Sequence, residues 1–131
     1  ALNEKIEALS GNTGMVLNLC LSYSGRAEIV DAARRIAAAA AAGKIDPGTF
    51  DEGAFRAYLY DPSLPDPDLL VRTSGEMRIS NFFLWQLAYT EIVVTDVLWP
   101  DFRERDLFDA VREYLGRERR FGKLKDGMHE R

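Results

Sequence analysis

The chain has 131 residues, 47% of them hydrophobic, and a formal net charge of −4, enough for one compact domain with its own core. That charge excludes a general nucleic-acid binder, which needs cations for the phosphate backbone. No run approaches the roughly 18 apolar residues of a membrane-spanning helix, and no signal segment or transmembrane segment is expected. The single cysteine, Cys20, lies in an apolar run, where an inert buried thiol in a reducing, cytoplasmic setting is expected rather than a redox or zinc role.

Leu2, Ile6 and Leu9 recur at helical spacing, and Gly11-Asn12 closes that first helix. The chain is expected to enter in mid-helix, as the C-terminal part of a longer domain whose N-terminal part is missing. Residues 15–21 (MVLNLCL) are almost uniformly apolar and short, which predicts a strand buried on both faces, with Asn18 as a satisfied buried amide. A turn at Ser22-Tyr23-Ser24-Gly25 leads into a helix to about Ala42, with Ile29, Ala33, Ile36 and Ala40 inward and Gly43 as its stop. The alanine run 37–42 suits a helix and needs no further role. Thr49-x-x-Glu52 reads as a capping box for a short helix bearing Phe55, Tyr58 and Leu59. Pro62, Pro65 and Pro67 then hold the chain irregular up to a strand at residues 69–71.

A polar loop follows, then an aromatic segment at helical spacing, residues 82–89. Residues 92–97 form a further predicted strand, Trp99-Pro100 a turn, and Asp101-x-x-Glu104 the cap of a last helix with Leu107, Val111, Tyr114 and Leu115 inward. Strands alternating with helices define an α/β fold with a mainly parallel sheet flanked by helices. Residues 117–131 carry six basic and three acidic side chains, a tail of +3 on a body of −7, which reads as a solvated end or as a reach toward phosphate.

The chemistry concentrates between Arg72 and Asn81, after a strand, where open α/β sheets bind ligands. Arg72, Arg78, the Ser80 hydroxyl and free backbone N–H groups suit a diphosphate-like oxyanion. The same residues also suit a plainer arrangement in which the arginines pair with carboxylates and Ser80 caps a helix with Asn81. The pattern matches neither a Walker A loop nor a dinucleotide fingerprint. Glu76 is a partner for Arg72 or Arg78. Glu91, before a strand, is a solvated residue unless a diphosphate lies near enough to share a magnesium ion with it. The rings of Phe82, Phe83, Trp85, Tyr89, Trp99 and Phe102 read as core or subunit interface.

The run from Asp66 through Arg72-Thr73-Ser74-Gly75-Glu76-Met77-Arg78-Ile79-Ser80-Asn81-Phe82, on through Glu91 to Thr95-Asp96-Val97-Leu98-Trp99-Pro100-Asp101-Phe102, resembles the signature of the cis-prenyltransferase family, of undecaprenyl diphosphate synthase type. Ser22-Tyr23-Ser24-Gly25-Arg26 resembles its Tyr-x-Gly-Arg element, and Arg119-Arg120-Phe121-Gly122 its Arg-x-Gly motif. The resemblance implies condensation of isopentenyl diphosphate with an allylic diphosphate such as farnesyl diphosphate, giving a cis-polyprenyl product in a hydrophobic tunnel. It implies an isopentenyl diphosphate clamp of Arg72, Arg78 and Ser80, with Glu76 and Asn81 in the same substrate-binding set and Glu91 as a Mg2+ ligand. Arg120 and Gly122 are expected to act across a homodimer interface, and the enzyme to touch membranes only peripherally for product release.

Three departures from the family pattern qualify this. Its Asp-Gly-Asn-Arg-Arg loop, with the catalytic aspartate and the allylic site, is absent, so the chain alone is expected to be inactive. Met77 stands where many relatives carry histidine, and Ser22, Ser24 and Ser74 replace Asn or Gly. A non-catalytic partner subunit of a hetero-oligomeric enzyme is the alternative; the presence of Arg72, Arg78, Ser80 and Glu91 weighs against it.

Overall fold

The structure is a computed structural model that describes residues 2–117. In chain order it contains α1 (Leu2–Leu9), α2 (Gly25–Ala41), α3 (Glu52–Arg56), β1 (Leu69–Arg72), β2 (Glu91–Val94) and α4 (Glu104–Leu115). Among the described residues, β1 and β2 form a two-stranded parallel sheet. Leu69 pairs with Glu91 and Arg72 with Val94, and α4 packs over both strands. A parallel pair cannot be joined by a tight turn, so the crossover from Thr73 to Thr90 is long enough to carry functional residues.

α2 starts where Ser24 accepts a hydrogen bond from the Ala27 N–H. It stops at Gly43, whose φ of 65° is the left-handed conformation that ends helices and that glycine adopts without strain. Its buried positions are Gly25, Glu28 and Ala32. The expected inward face is therefore rotated, and Ala33 is exposed. α3 is capped by Asp51, which accepts from the Ala54 N–H at 2.8 Å. Thr49 belongs instead to a preceding 3-10 turn, Pro47–Thr49, because a carboxylate one residue from the helix start outcompetes a hydroxyl two residues further back. Asp101 likewise lies in a 3-10 turn, Trp99–Asp101. At α4 it is Asp106 that reaches back to the Arg103 N–H, 2.8 Å away. Ala110 is the buried centre of that helix, while Leu107 and Leu115 are exposed.

Two larger differences concern the predicted strand at 15–21 and the aromatic segment. Residues 15–21 take no regular secondary structure and pair with neither β1 nor β2. Met15 is 89% exposed, and Val16, Leu17, Leu19 and Leu21 are exposed with it; Asn18 is exposed as well. An apolar strand of a parallel sheet is buried only by neighbours on its edges and faces, and β1 and β2 do not supply them. Residues 82–89 fold as successive turns rather than a helix. Ser80, Asn81 and Phe83 take φ of 49°, 63° and 43°, and three left-handed residues within four positions break right-handed helical geometry.

Candidate functional site

β1 ends at Arg72, and the chain turns at once through Ser74 and Gly75, both left-handed at φ 64° and 65°. This turn is tied to the segment after β2. The Ser74 N–H donates to Val97 O at 2.9 Å and the Gly75 N–H to Thr95 O at 3.0 Å. A Cβ at Gly75 would come within 3.0 Å of Asp96 Oδ1. The two loops at the carboxyl ends of the parallel strands thus form one rim, the place where sheets of this kind bind ligands.

Arg72 is half-buried, and its Nε is a buried donor without a hydrogen-bond partner among the described residues. Arg78 is exposed and pairs with Glu76, Nη2 to Oε2, at 2.7 Å. An ion pair this open to water contributes little to stability, about 0–1 kcal/mol, and exchanges readily for another anion. Ser80 is exposed. Asn81 is committed elsewhere: its Oδ1 accepts from the Arg26 N–H at 2.9 Å, its Nδ2 donates to Ser24 Oγ at 2.9 Å, and its backbone oxygen accepts from the Gly25 N–H at 2.8 Å. Asn81 does act at a helix N-terminus, but that of α2, 55 residues back in sequence from its side-chain contact with Arg26.

Glu91 opens β2 opposite Leu69. It lies three ladder steps, roughly 10 Å, from the level of Arg72. Its Oε2 accepts from Arg117 Nη1 at 2.9 Å, and the same guanidinium reaches Ile92 O at 3.0 Å and Glu113 Oε1 at 2.5 Å. Glu91 and then Glu113 hold Arg117 above the usual guanidinium range. Arg117, the first residue of the basic tail, is thus a clasp between β2 and α4. Arg120 and Gly122 lie outside the described residues.

Among the described residues no three His, Cys, Asp or Glu side chains gather into a metal site. Magnesium does not need such a cage, since one or two carboxylates with substrate phosphate oxygens and water suffice. Glu91 is a hard oxygen donor of the right kind, but it sits at the amino end of β2, away from the rim at Arg72, and is engaged by Arg117. No helix among the described residues is long and apolar enough to cross a membrane.

Sequence reasoning missed Glu28. It is 1% exposed, the buried charged residue of the described structure. Its Oε1 accepts from the Tyr60 N–H at 2.9 Å, and its Oε2 from Gln86 Nε2 at 3.1 Å and from the Tyr23 hydroxyl. Burial and then Glu28 raise the Tyr23 phenol well above its usual range. Burial, with Glu28 second, also pushes up the Cys20 thiol, which keeps it protonated and unreactive. The available signal was the spacing of Gly25, Glu28 and Ala32, which share one helical face. A cleft of about 370 Å³ lies beside this cluster, bounded by Cys20, Tyr23, Glu28, Leu59 and Phe83 among others, with none of Arg72, Arg78 or Ser80 in its wall.

The class of chain defined here is an α/β layered one in which, among the described residues, an arginine donor without a partner closes a parallel strand at its carboxyl end. Comparison with known proteins refines that class. A family model described as "Putative undecaprenyl diphosphate synthase" matches residues 1–122. An isoprenyl transferase of Chlorobaculum tepidum is 54% identical over 127 residues, 97% of this chain and 48% of that protein. Lavandulyl diphosphate synthase of Lavandula x intermedia, solved in complex with dimethylallyl diphosphate, is similar at a TM-score of 0.82 and 45% identity, over 92% of this chain and 52% of its own. A Campylobacter jejuni structure described as a "probable undecaprenyl diphosphate synthase" is similar at 0.74 and 33%, over 93% and 56%. The chain belongs to the undecaprenyl diphosphate synthase family of cis-prenyltransferases and has their α/β fold. It spans about half the length of the curated relatives it matches.

Proposed function

We propose that this chain is the isopentenyl-diphosphate-binding part of a magnesium-dependent cis-prenyltransferase that elongates an allylic diphosphate such as farnesyl diphosphate. Arg72 carries the reading. A buried guanidinium nitrogen left without a partner is costly unless a ligand completes it, and this one opens the loop that follows a parallel strand. Arg78 exchanges Glu76 for the diphosphate, and Ser80 adds a hydroxyl donor. Together they hold the head group while the isopentenyl double bond attacks the allylic carbon, the allylic C–O bond breaks, and a proton is lost to leave the cis alkene. Glu91 would be the residue to hold a magnesium ion, once released from Arg117, and the ion would supply neutralisation of diphosphate charge. Arg120 and Gly122 complete the site across a homodimer, in a cytoplasmic enzyme that meets membranes only to release product.

The test is incorporation of radiolabelled isopentenyl diphosphate by the full-length gene product that contains this chain. Arg72→Ala is expected to raise KM for isopentenyl diphosphate tenfold or more, the equivalent of about 1.5–3 kcal/mol for a lost charged contact. An unchanged KM would remove Arg72 from the site. Residues 1–131 alone are expected to give no turnover. A gene product active only with a second polypeptide would instead favour the partner-subunit reading.

A further inference from the structure

Arg117 lies one residue beyond the C-cap of α4, where the free carbonyl end of the helix favours a cation. Its two terminal nitrogens serve different partners. Nη1 donates to Glu91 Oε2 at 2.9 Å and to Ile92 O at 3.0 Å, both on β2, while Nη2 donates to Glu113 Oε1 on α4. The pair with Glu91 is shielded from both sides. The two side chains are 33% and 29% exposed, against 74% and 36% for Arg78 and Glu76 on the rim. Charges held partly out of water are weakly screened, so a second cation brought to Glu91 is repelled by the guanidinium already there. A guanidinium keeps its proton at any working pH, so it gives up a carboxylate only by parting from it. The geometry makes that parting cheap. When Glu91 swings away, Ile92 O still occupies Nη1 and Glu113 still occupies Nη2, and neither nitrogen is stranded without an acceptor.

We propose that Arg117 is a positioning residue that gates Glu91: it occupies the carboxylate until a divalent cation displaces it, and so sets how tightly that cation binds. This rests on the reading of Glu91 given above. Glu113 is the second half of the device, because it retains the guanidinium once Glu91 is taken and so lowers the cost of release. An ion pair that served only to join strand and helix would act with the opposite sign, since removing it loosens the carboxylate and weakens whatever binds there.

The experiment titrates Mn2+, a paramagnetic stand-in for Mg2+, into the full-length gene product that contains this chain and counts the free ion by electron paramagnetic resonance. Thermal unfolding without metal is recorded beside it. Arg117→Gln should tighten Mn2+ binding about fivefold while lowering the metal-free unfolding temperature. Glu113→Gln, which leaves the guanidinium no carboxylate to fall back on, should weaken binding about threefold. Glu91→Gln should weaken it about tenfold, and adding Arg117→Gln to that variant should change nothing further. The proposal falls if Arg117→Gln leaves the affinity within about twofold of wild type, or weakens it. Should Arg117→Gln fail to fold, Arg117→Lys decides by the same criterion, because one ammonium cannot hold Glu91, Ile92 O and Glu113 together as the fork does. The reading beneath fails by a different result: Glu91→Gln that leaves Mn2+ affinity unaltered removes Glu91 from the metal site, and the gate with it, whatever Arg117→Gln does.

Discussion

Gly25 has no room for a side chain. A Cβ there would sit 2.9 Å from Leu84 Cγ, 3.0 Å from Asn81 O and 3.1 Å from Leu84 N. Two of those atoms are backbone, so the neighbour cannot simply swing aside. Gly25→Ala is expected to cost about 1–3 kcal/mol, the range for overpacking a fitted contact, read as a fall in the urea midpoint without a change in slope. Ser74 shows the opposite relation, occupying a left-handed turn position where a glycine would be unstrained. Family resemblance marked Gly25 in the sequence, but its reason depends on residues more than fifty positions away. Arg72 was legible for a different cause, since a charged residue closing an apolar strand run is conspicuous without any tertiary information. The absence of a partner for its Nε was not.

Between elements, Asn81 joins the loop after β1 to the start of α2, and it meets Ser24, which caps that helix locally. Asn81→Gly removes the side-chain bonds while tolerating the φ of 63°, so the loss it produces belongs to those bonds. About 1 kcal/mol is expected, the usual worth of a capping side chain, measured by chemical denaturation. β1, β2 and the helices α1, α2 and α4 were readable because apolar periodicity and stop residues agree there. The capping residues of α3 and α4 were harder, because several acids and hydroxyls fall within two residues of each helix start and only geometry chooses among them. The segment 82–89 misled for a physical reason. Its aromatic spacing fits a helix, but the rings are placed by turns that face Tyr23 and α3, as in the contact of Phe55 with Trp85 at 4.2 Å.

At the scale of the whole molecule, the Tyr23 and Tyr60 phenols give stability a pH dependence. Tyr23 is raised by burial first and by Glu28 second, and Tyr60 by its hydrogen bond to Asp31. A raised phenol binds its proton more tightly folded than unfolded. The stability this contributes is complete below the unfolded value near 10 and is lost as pH climbs past it. Cys20 acts in the same direction from about 9 upward. Unfolding temperatures recorded from pH 8 to 11 should hold steady and then fall, and Tyr23→Phe should make the fall shallower. An unaltered slope in Tyr23→Phe would show that the Tyr23 phenol does not carry the loss at high pH.

The irregular apolar segment at 15–21 has a colloidal consequence. MVLNLCL carries no charge and no proline, is exposed along most of its length, and offers backbone groups that neither β1 nor β2 pairs. A bare, uncharged apolar ribbon is a template onto which another strand can add, whether from a neighbouring copy or from any other chain. Taken as residues 1–131 alone, such a ribbon is expected to draw chains together, whereas in a longer protein further strands of the same chain are expected to cover it. A lysine introduced at Leu17 or Leu19 is the change that would keep them apart.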